Sequence, residues 1–161
     1  MFKIKLLILF LISFFFIACT NNNEENNFKI SVAYIGGEYE GLILSNQLES
    51  QLNNLGMLSE SSRYEVQANI SHSQNLYIAD IDNTSNRERI DSYVDIKIFD
   101  KKLNCITYNY DETISQFYVF ASSDQFISNS TAVEEIKIDN TEYFVLSFIN
   151  SLTESSFACG K

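Results

Sequence analysis

The hydrophobic pattern beyond residue 27 first predicts a strand and then a helix. Phe28 to Ile35 alternates apolar side chains with small or polar ones and runs into Gly36-Gly37, which indicates a strand followed by a turn. From about Glu40 to Leu55, leucines recur at the spacing of one helical face, at positions 44, 48, 52 and 55. Gly56 is placed to end this helix.

Three further strands are predicted from period-two patterns. Tyr64 to Ser71 alternates strictly, and apolar character resumes from Leu76 to Ile81 before a polar loop at 82–86. Ile90 to Ile98 places apolar side chains on one face, and the segment from Ile106 to Tyr110 begins the next strand. The intervening turn, 100–104, is short, which favours antiparallel pairing.

The C-terminal part predicts one long or kinked helix. Ser123 or Asp124 is a plausible N-cap, and helical spacing is interrupted around Asp139-Asn140. The apolar positions of this face are Val133, Ile136, Phe144, Val145, Phe148, Ile149 and Leu152.

The order of these elements, βαβββα, predicts an α+β fold. The first strand–helix–strand unit should be a right-handed crossover that makes one parallel pair, and the remaining strands should form a meander. We therefore expect a two-layer α/β sandwich, a four-stranded mixed sheet with both helices on one face. The domain is predicted to span residues 28–155, followed by a C-terminal tail, 156–161.

The N-terminus has the layout of a signal segment, residues 1–18. Lys3 and Lys5 precede an apolar run that extends to Ala18. A retained membrane anchor is less favoured, since thirteen helical residues span only about 20 Å of the roughly 30 Å hydrocarbon core. Removal of this segment takes away two of the basic residues and makes the chain more acidic.

The run ends in Phe16-Ile17-Ala18-Cys19, which resembles a bacterial lipobox, although Phe16 is bulkier than the usual leucine. Cys19 is the predicted lipidation site, and we favour a lipoprotein over simple secretion. Thr20 is not the Asp of the best-known inner-membrane retention rule, so the outer membrane, on its periplasmic side, is the expected location. Residues 19–27 are predicted to form a flexible tether.

Composition narrows the function classes. The chain has 161 residues, enough for one domain, and a formal net charge of -10. Such a charge argues against a general nucleic-acid binder, which needs a basic surplus to displace phosphate counterions. Cys105 and Cys159 could form a disulfide in an oxidising compartment. We slightly favour the alternative, in which Cys105 is a small strand residue and Cys159 a loose thiol in the tail.

Candidate chemistry is sparse. His72, the single histidine, is expected to be an exposed residue near a strand end, and its use by a hydrolase is the remote alternative. No phosphate-binding glycine loop or zinc-ligand spacing occurs, and the segment 80–84 lacks the central Gly and distal Glu of a calcium loop. The sequence therefore predicts no enzyme, cofactor or metal site.

The few basic residues form two groups. Arg87 and Arg89 lie two apart in a predicted strand and should point to the same side, and Lys101 and Lys102 lie in the following turn. They could form a local docking site for an anionic group at a sheet end. The simpler interpretation is that they balance nearby carboxylates.

The whole layout resembles the family of the LPS-assembly lipoprotein LptE. The segments that carry the resemblance are the lipobox, the strand ending in Gly, the helix Gly41–Leu48, the alternating strand Tyr64–Ala68, the segment Arg89–Val94, the hairpin at Asp100–Leu103, the aromatic stretch Phe117–Phe120 and the closing helix.

The resemblance implies a non-enzymatic outer-membrane lipoprotein that plugs the LptD barrel, assists its assembly and binds lipopolysaccharide. Outward aromatic residues such as Tyr93 and Phe99 would pack against the barrel wall. Because the domain is acidic, lipopolysaccharide would be bound locally through Arg87, Arg89, Lys101 or Lys102, or through bridging divalent cations. The alternative is a periplasm-facing interaction module or scaffold with an unrelated partner.

Overall fold

A computed structural model of the chain describes residues 28–78, 86–119, 126–153, 157 and 159. The elements are β1 (Ile30–Gly36), α1 (Glu38–Asn54), β2 (Tyr64–Ile78), β3 (Asn86–Asp100), β4 (Cys105–Val119) and α2 (Phe126–Thr153). This confirms the predicted order βαβββα and the α+β class. The predicted lipidation site, tether and helix cap lie outside the described residues.

The four strands form one mixed sheet in the order β1-β2-β3-β4. As predicted, β1 pairs with β2 in parallel, and β2, β3 and β4 form an antiparallel meander. The sheet is open, and both helices pack on the same face of it, so the fold is a two-layer sandwich.

The turn from β1 into α1 explains the glycine pair in the sequence. Gly37 has a φ of 115°, a conformation that side chains with a Cβ rarely adopt. A Cβ at Gly37 would also lie 2.5 Å from the carbonyl oxygen of Ile70. The helix therefore starts in contact with the middle of β2, level with Ile70.

The length of α1 divides the layer between helices and sheet into two halves. With 17 residues, α1 is about 25 Å long, whereas each of the 15-residue strands β2, β3 and β4 extends about 50 Å. From Ile70 towards the start of β2, α1 and the C-terminal half of α2 cover the sheet together. Beyond Ile70, α2 alone covers it.

We call the part under both helices the apolar half. Its side chains are aliphatic or aromatic and nearly all fully buried, and they include Ile30, Leu44, Leu48, Leu52, Val66, Ile70, Val94, Ile96, Ile98, Phe144, Phe148 and Leu152. Most of these residues lie at the apolar positions from which the elements are predicted. Hydrophobic burial in this half is therefore the main stabilising contribution that the pattern specifies.

We call the part under α2 alone the polar half. Inward-facing side chains there include Glu88, Ser92, Asn129 and Asn140, all buried. Two apolar residues, Ile90 and Val133, accompany them. Buried polar groups need hydrogen-bond partners, so directional contacts between side chains set the packing of this half.

The structure corrects several predicted boundaries. β2 continues to Ile78 and β4 to Val119, well beyond the segments with clear alternation. The two strands extend because β3 pairs with β2 from Asn86 to Asp100 and with β4 from Arg87 to Asp100, which satisfies backbone groups along both strands. α2 is continuous through Asn140, which is buried against the sheet and does not interrupt the helix.

The favoured expectation of two unpaired thiols is wrong. Cys105, the first residue of β4, forms a disulfide with Cys159. The ring of Phe157 stacks on that of Phe28 with centroids 4.1 Å apart, and it also contacts Tyr64. Phe157 and Cys159 are thus fixed at the end of the apolar half, one by ring contacts and the other by the disulfide.

Candidate functional site

The helix-free face of the sheet, which we call the open face, is the most extensive candidate surface. Alternate residues of each strand point away from the helices, and among the described residues no helix covers them. On β2 and β3 they are Glu65, Gln67, Asn69, Ser71, Ser73, Asn75, Arg87, Arg89, Asp91, Tyr93, Asp95, Lys97 and Phe99. The face combines hydroxyl, amide and aromatic groups with charges of both signs.

The arginine pair lies on the open face, near the start of β3. Arg87 is exposed, and among the described residues no carboxylate lies within ion-pair distance of it. Arg89 donates a hydrogen bond from Nε to Asp91 Oδ2 at 2.9 Å. A hydrogen bond from Ser115 and the charge of Arg89 hold the pKa of Asp91 below its usual value. Of the pair, Arg87 is the cation available to a ligand.

Two exposed apolar side chains of β4 accompany the arginines. Phe117 lies directly opposite Arg89 in the ladder, and Val119 lies opposite Arg87. Phe117 is 55% exposed and Val119 67% exposed. The sequence marked the aromatic stretch here but not its position beside the arginines, since only the register of β3 against β4 brings them together.

The lysine pair lies at the opposite end of β3. Lys101 approaches Glu65, with 3.8 Å between Nζ and Oε2, and donates to Ser31 Oγ at 3.3 Å. Lys102 is exposed in the turn. Eleven strand residues, 90–100, lie between Arg89 and Lys101, which places the two about 40 Å apart. The four cations are therefore two separate groups and do not form a single docking site.

The turn that carries the lysines is held by Asp100. Arg63 donates to this carboxylate from Nε at 2.8 Å and from its terminal nitrogen, and the backbone N–H groups of Lys102 and Leu103 donate to it at 2.9 and 3.1 Å. These hydrogen bonds, chiefly that from Arg63, lower the pKa of Asp100 to about 2. The turn is therefore a rigid end of the sheet.

Both aromatic residues predicted to point outward lie on the open face. Tyr93 is 41% exposed, and Phe99, which is half-buried, lies six residues further along the strand, about 20 Å away. A shallow cleft of about 360 Å³ lies on the same face between Tyr34 and the pair formed by Asp95 and Lys97. These residues make a rigid, mixed surface suited to packing against another protein.

His72 does not occupy the exposed strand end that the sequence predicted. It lies within β2, half-buried in the polar half, with Nδ1 2.7 Å from Ser92 Oγ. Asn140 Nδ2 donates to the same Ser92 oxygen at 2.8 Å, and Gln116 Nε2 donates to Asn140 Oδ1 at 2.5 Å. This chain, which we call the polar clasp, joins three strands to α2.

The surroundings of the histidine favour its neutral form. Ser92 accepts from Asn140 and can donate its own hydroxyl proton to Nδ1, whereas Nε2 is buried and has no hydrogen-bond partner among the described residues. Burial lowers the pKa of His72. The His72–Ser92 contact has the geometry of a base beside a nucleophile, but the hydroxyl is fully buried and already bonded to Asn140. The sequence could not indicate this cluster, whose members are far apart in the chain.

Within residues 28–78, 86–119 and 126–153, no three His, Cys, Asp or Glu side chains are grouped so that they could hold a metal ion. In the same ranges, neither helix combines the length and the apolar character that crossing a membrane requires.

No protein-family model and no curated protein sequence matches this chain. The fold, however, is similar to those of solved bacterial lipoproteins. Lipoprotein B from Nitrosomonas europaea aligns with a TM-score of 0.62 and 12% identity, covering 80% of this chain and 86% of that one.

Two further solved lipoproteins have a similar fold. A minor lipoprotein from Acinetobacter baumannii aligns with a TM-score of 0.56 and 14% identity, covering 83% of this chain and 98% of its own. Rare lipoprotein B from Shewanella oneidensis gives 0.56 and 10%, covering 78% and 97%. At these identities the likeness concerns the fold, and the chain therefore has a fold that several bacterial lipoproteins share.

Proposed function

We propose that the protein is a lipoprotein, anchored through Cys19 on the periplasmic side of the outer membrane, that plugs and assists assembly of an LptD-type barrel. The observation that carries the proposal is the one-sided sandwich, in which a rigid sheet leaves a polar and aromatic face without a helix over it. The similar folds of solved lipoproteins and the lipobox at Cys19 support the lipid anchor.

The chemistry of the open face suits a barrel interior. The lumen of an outer-membrane barrel is polar, and in some of the wider barrels it is filled by a plug. Hydroxyl and amide groups and paired charges such as Asp95–Lys97 can bond to such a wall, and Tyr93 adds apolar area with a polar tip. An apolar face would instead favour a lipid surface or a hydrophobic partner.

Lipopolysaccharide binding is the finer part of the proposal. Phosphate groups would bind at Arg87, with Arg89 next to it, and the exposed Phe117 and Val119 offer apolar contacts beside them. Lys101 and Lys102, at the far end, would be a second and separate anionic contact. Exchange of Arg87 for Ala should weaken binding of purified lipopolysaccharide more than the same change at Lys102.

The test of the barrel partnership is recovery of the tagged, lipidated protein from native outer membranes in mild detergent, with partners identified by mass spectrometry. We expect an LptD-type barrel in near-equal amount. Tyr93→Glu should reduce this recovery, whereas Tyr39→Glu, a matched change on the exposed side of α1, should not. Abundant bait without a barrel would overturn the proposal and favour an interaction module with an unrelated partner.

A further inference from the structure

The two edges of the sheet differ in how well they are protected against pairing. β1, at one edge, has only seven residues and a register shift between Val32 and Ile35. β4, at the other edge, has 15 residues, and the register shift in its pairing comes at its start, opposite Ile98/Phe99. Short or bulged edges resist further pairing, whereas a long regular edge strand offers a row of backbone donors and acceptors.

The composition of β4 favours a strand that can accept another. Cys105–Val119 reads CITYNYDETISQFYV, which is rich in β-branched and aromatic residues. It contains no Pro, Gly, Lys or Arg, the residues with which edge strands are commonly blunted. Its two acidic residues are the only side chains of β4 that can oppose pairing with another strand.

α2 holds β4 from one face, and among the described residues no strand pairs with its outer edge. Side-chain hydrogen bonds join it to α2: Tyr108 to Ser151 at 2.7 Å, Gln116 to Asn140 at 2.5 Å, and Tyr143 to Glu112 at 3.2 Å. All of these lie on the helix side of the sheet. Within the described ranges, no backbone hydrogen bond joins the outer edge of β4 to another element.

The only charges of β4 lie at its centre. Asp111 points to the open face and Glu112 to the helix side, so each side of the edge carries one carboxylate. If a second copy paired with β4 antiparallel in the fully overlapping register, Glu112 would face its own counterpart and Asp111 would lie diagonal to its own. Like charges in these positions destabilise strand pairs, so the arrangement disfavours a second copy.

We propose that the outer edge of β4 binds an extended segment of another protein that carries basic residues and adds it as a fifth strand. Lysine or arginine side chains opposite Asp111 and Glu112 would replace repulsion with cross-strand attraction, and backbone hydrogen bonds would supply most of the affinity. The net charge of -10 would draw such a segment in. The inference does not depend on the barrel partnership.

The test uses the full-length lipidated protein in detergent micelles with two blocked nine-residue peptides. Both alternate valine and threonine, one with two central lysines and the other with two central glutamates. Hydrogen exchange read by mass spectrometry should show new protection in β4 with the lysine peptide. Its half-saturating concentration should be about tenfold lower than for the glutamate peptide, a difference of about 1.4 kcal/mol.

Charge-reversal variants decide whether the carboxylates cause that preference. Asp111→Lys should abolish it, whereas Glu60→Lys, which makes the same charge change in an exposed turn away from β4, should preserve it. Equal binding of both peptides, protection at β1 instead of β4, or β4 amides that are fully protected before any peptide is added would each overturn the proposal.

Oligomeric state tests the exclusion of a second copy. The wild-type protein should be monomeric by light scattering after size-exclusion chromatography, and the neutral double variant Asp111→Asn/Glu112→Gln should self-associate. A wild-type dimer with protected β4 amides would show that the edge is used between copies of this chain, contrary to the proposal.

Discussion

The apolar half and the polar half of the layer beneath the helices share β2, β3 and β4 but are held together differently. In the apolar half, α1 and α2 bury side chains such as Leu48 and Phe148, which need no particular partner. In the polar half, α2 alone meets the sheet, and Ser92 and Asn140 must be matched by hydrogen bonds. The apolar half therefore contributes stability through buried area, whereas the hydrogen bonds of the polar half fix how α2 is placed on the sheet.

This division has a physical origin in the length of α1. A second helix covers the sheet only as far as Ile70, so beyond it there is less apolar surface to bury. In this part of the sheet His72 and Ser92, which lie opposite each other in the ladder, occupy inward-facing positions. We expect the three changes below to separate the two halves, in decreasing order of effect on the free energy of unfolding.

The largest effect is expected from Phe148→Ala in the apolar half. Phe148 is fully buried and packs against the rings of Tyr108 and Tyr110. Its truncation should cost about 3–5 kcal/mol, the loss of transfer free energy plus a cavity. Urea unfolding measures this, with Leu146→Ala, on the exposed side of the same helix, as the control that should cost less than about 1 kcal/mol.

A smaller loss is expected from Asn140→Ala in the polar half. The change removes the hydrogen bond to buried Ser92, which keeps its contact with His72, and the one from half-buried Gln116, and this should cost about 1–3 kcal/mol. Asn150→Ala, at an exposed position of the same helix, is the matched control. Hydrogen exchange should show faster opening of the N-terminal half of α2 with the apolar half unaffected. An equal increase in hydrogen exchange in both halves would contradict the conclusion that the two halves are stabilised differently.

The smallest effect is the pH dependence of the polar clasp. Burial lowers the pKa of His72 below 6.5, with Lys137 acting in the same direction and the carboxylates of Glu40 and Glu134 opposing it. The native state therefore holds the neutral ring, while the unfolded chain takes up a proton. The contribution of the neutral His72 ring to the free energy of unfolding is complete above about pH 6.5 and decreases as the pH falls below that value.

Unfolding free energies between pH 8 and pH 5 measure this effect. His72→Phe should flatten the profile in that range, because no group of the clasp then titrates. Asp100, in the turn at the end of the apolar half, should affect the free energy of unfolding only at lower pH. Its pKa is about 2, so its stabilising contribution is lost as the pH falls below about 4. A wild-type profile that is flat down to pH 5 would contradict the role given to His72.

The two halves also differ in how far the sequence predicts them. Alternation between Tyr64 and Ile70 and the leucine spacing of α1 led directly to the elements of the apolar half, because each pattern is local and matches the period of its element. In the polar half, β2 loses its alternation after Ser71, and its extent depends on β3 pairing beside it.

The same distinction applies to the candidate site. The sequence predicts that Arg87 and Arg89 share one side, which the open face confirms, because side chains two apart in a strand point the same way. It could not separate them from Lys101 and Lys102, since that distance depends on the unbroken length of β3. Nor could it place Phe117 beside Arg89, which the ladder between β3 and β4 decides.

By itself, then, the sequence determined the order βαβββα, the single mixed sheet and the side chains of the apolar half, because hydrophobic periodicity is a property of each segment alone. The polar clasp, the disulfide between residues 54 apart and the place of β4 at the edge of the described sheet arise only in the tertiary structure. Each of these depends on which distant groups the fold brings within a few ångströms, and no local period records that.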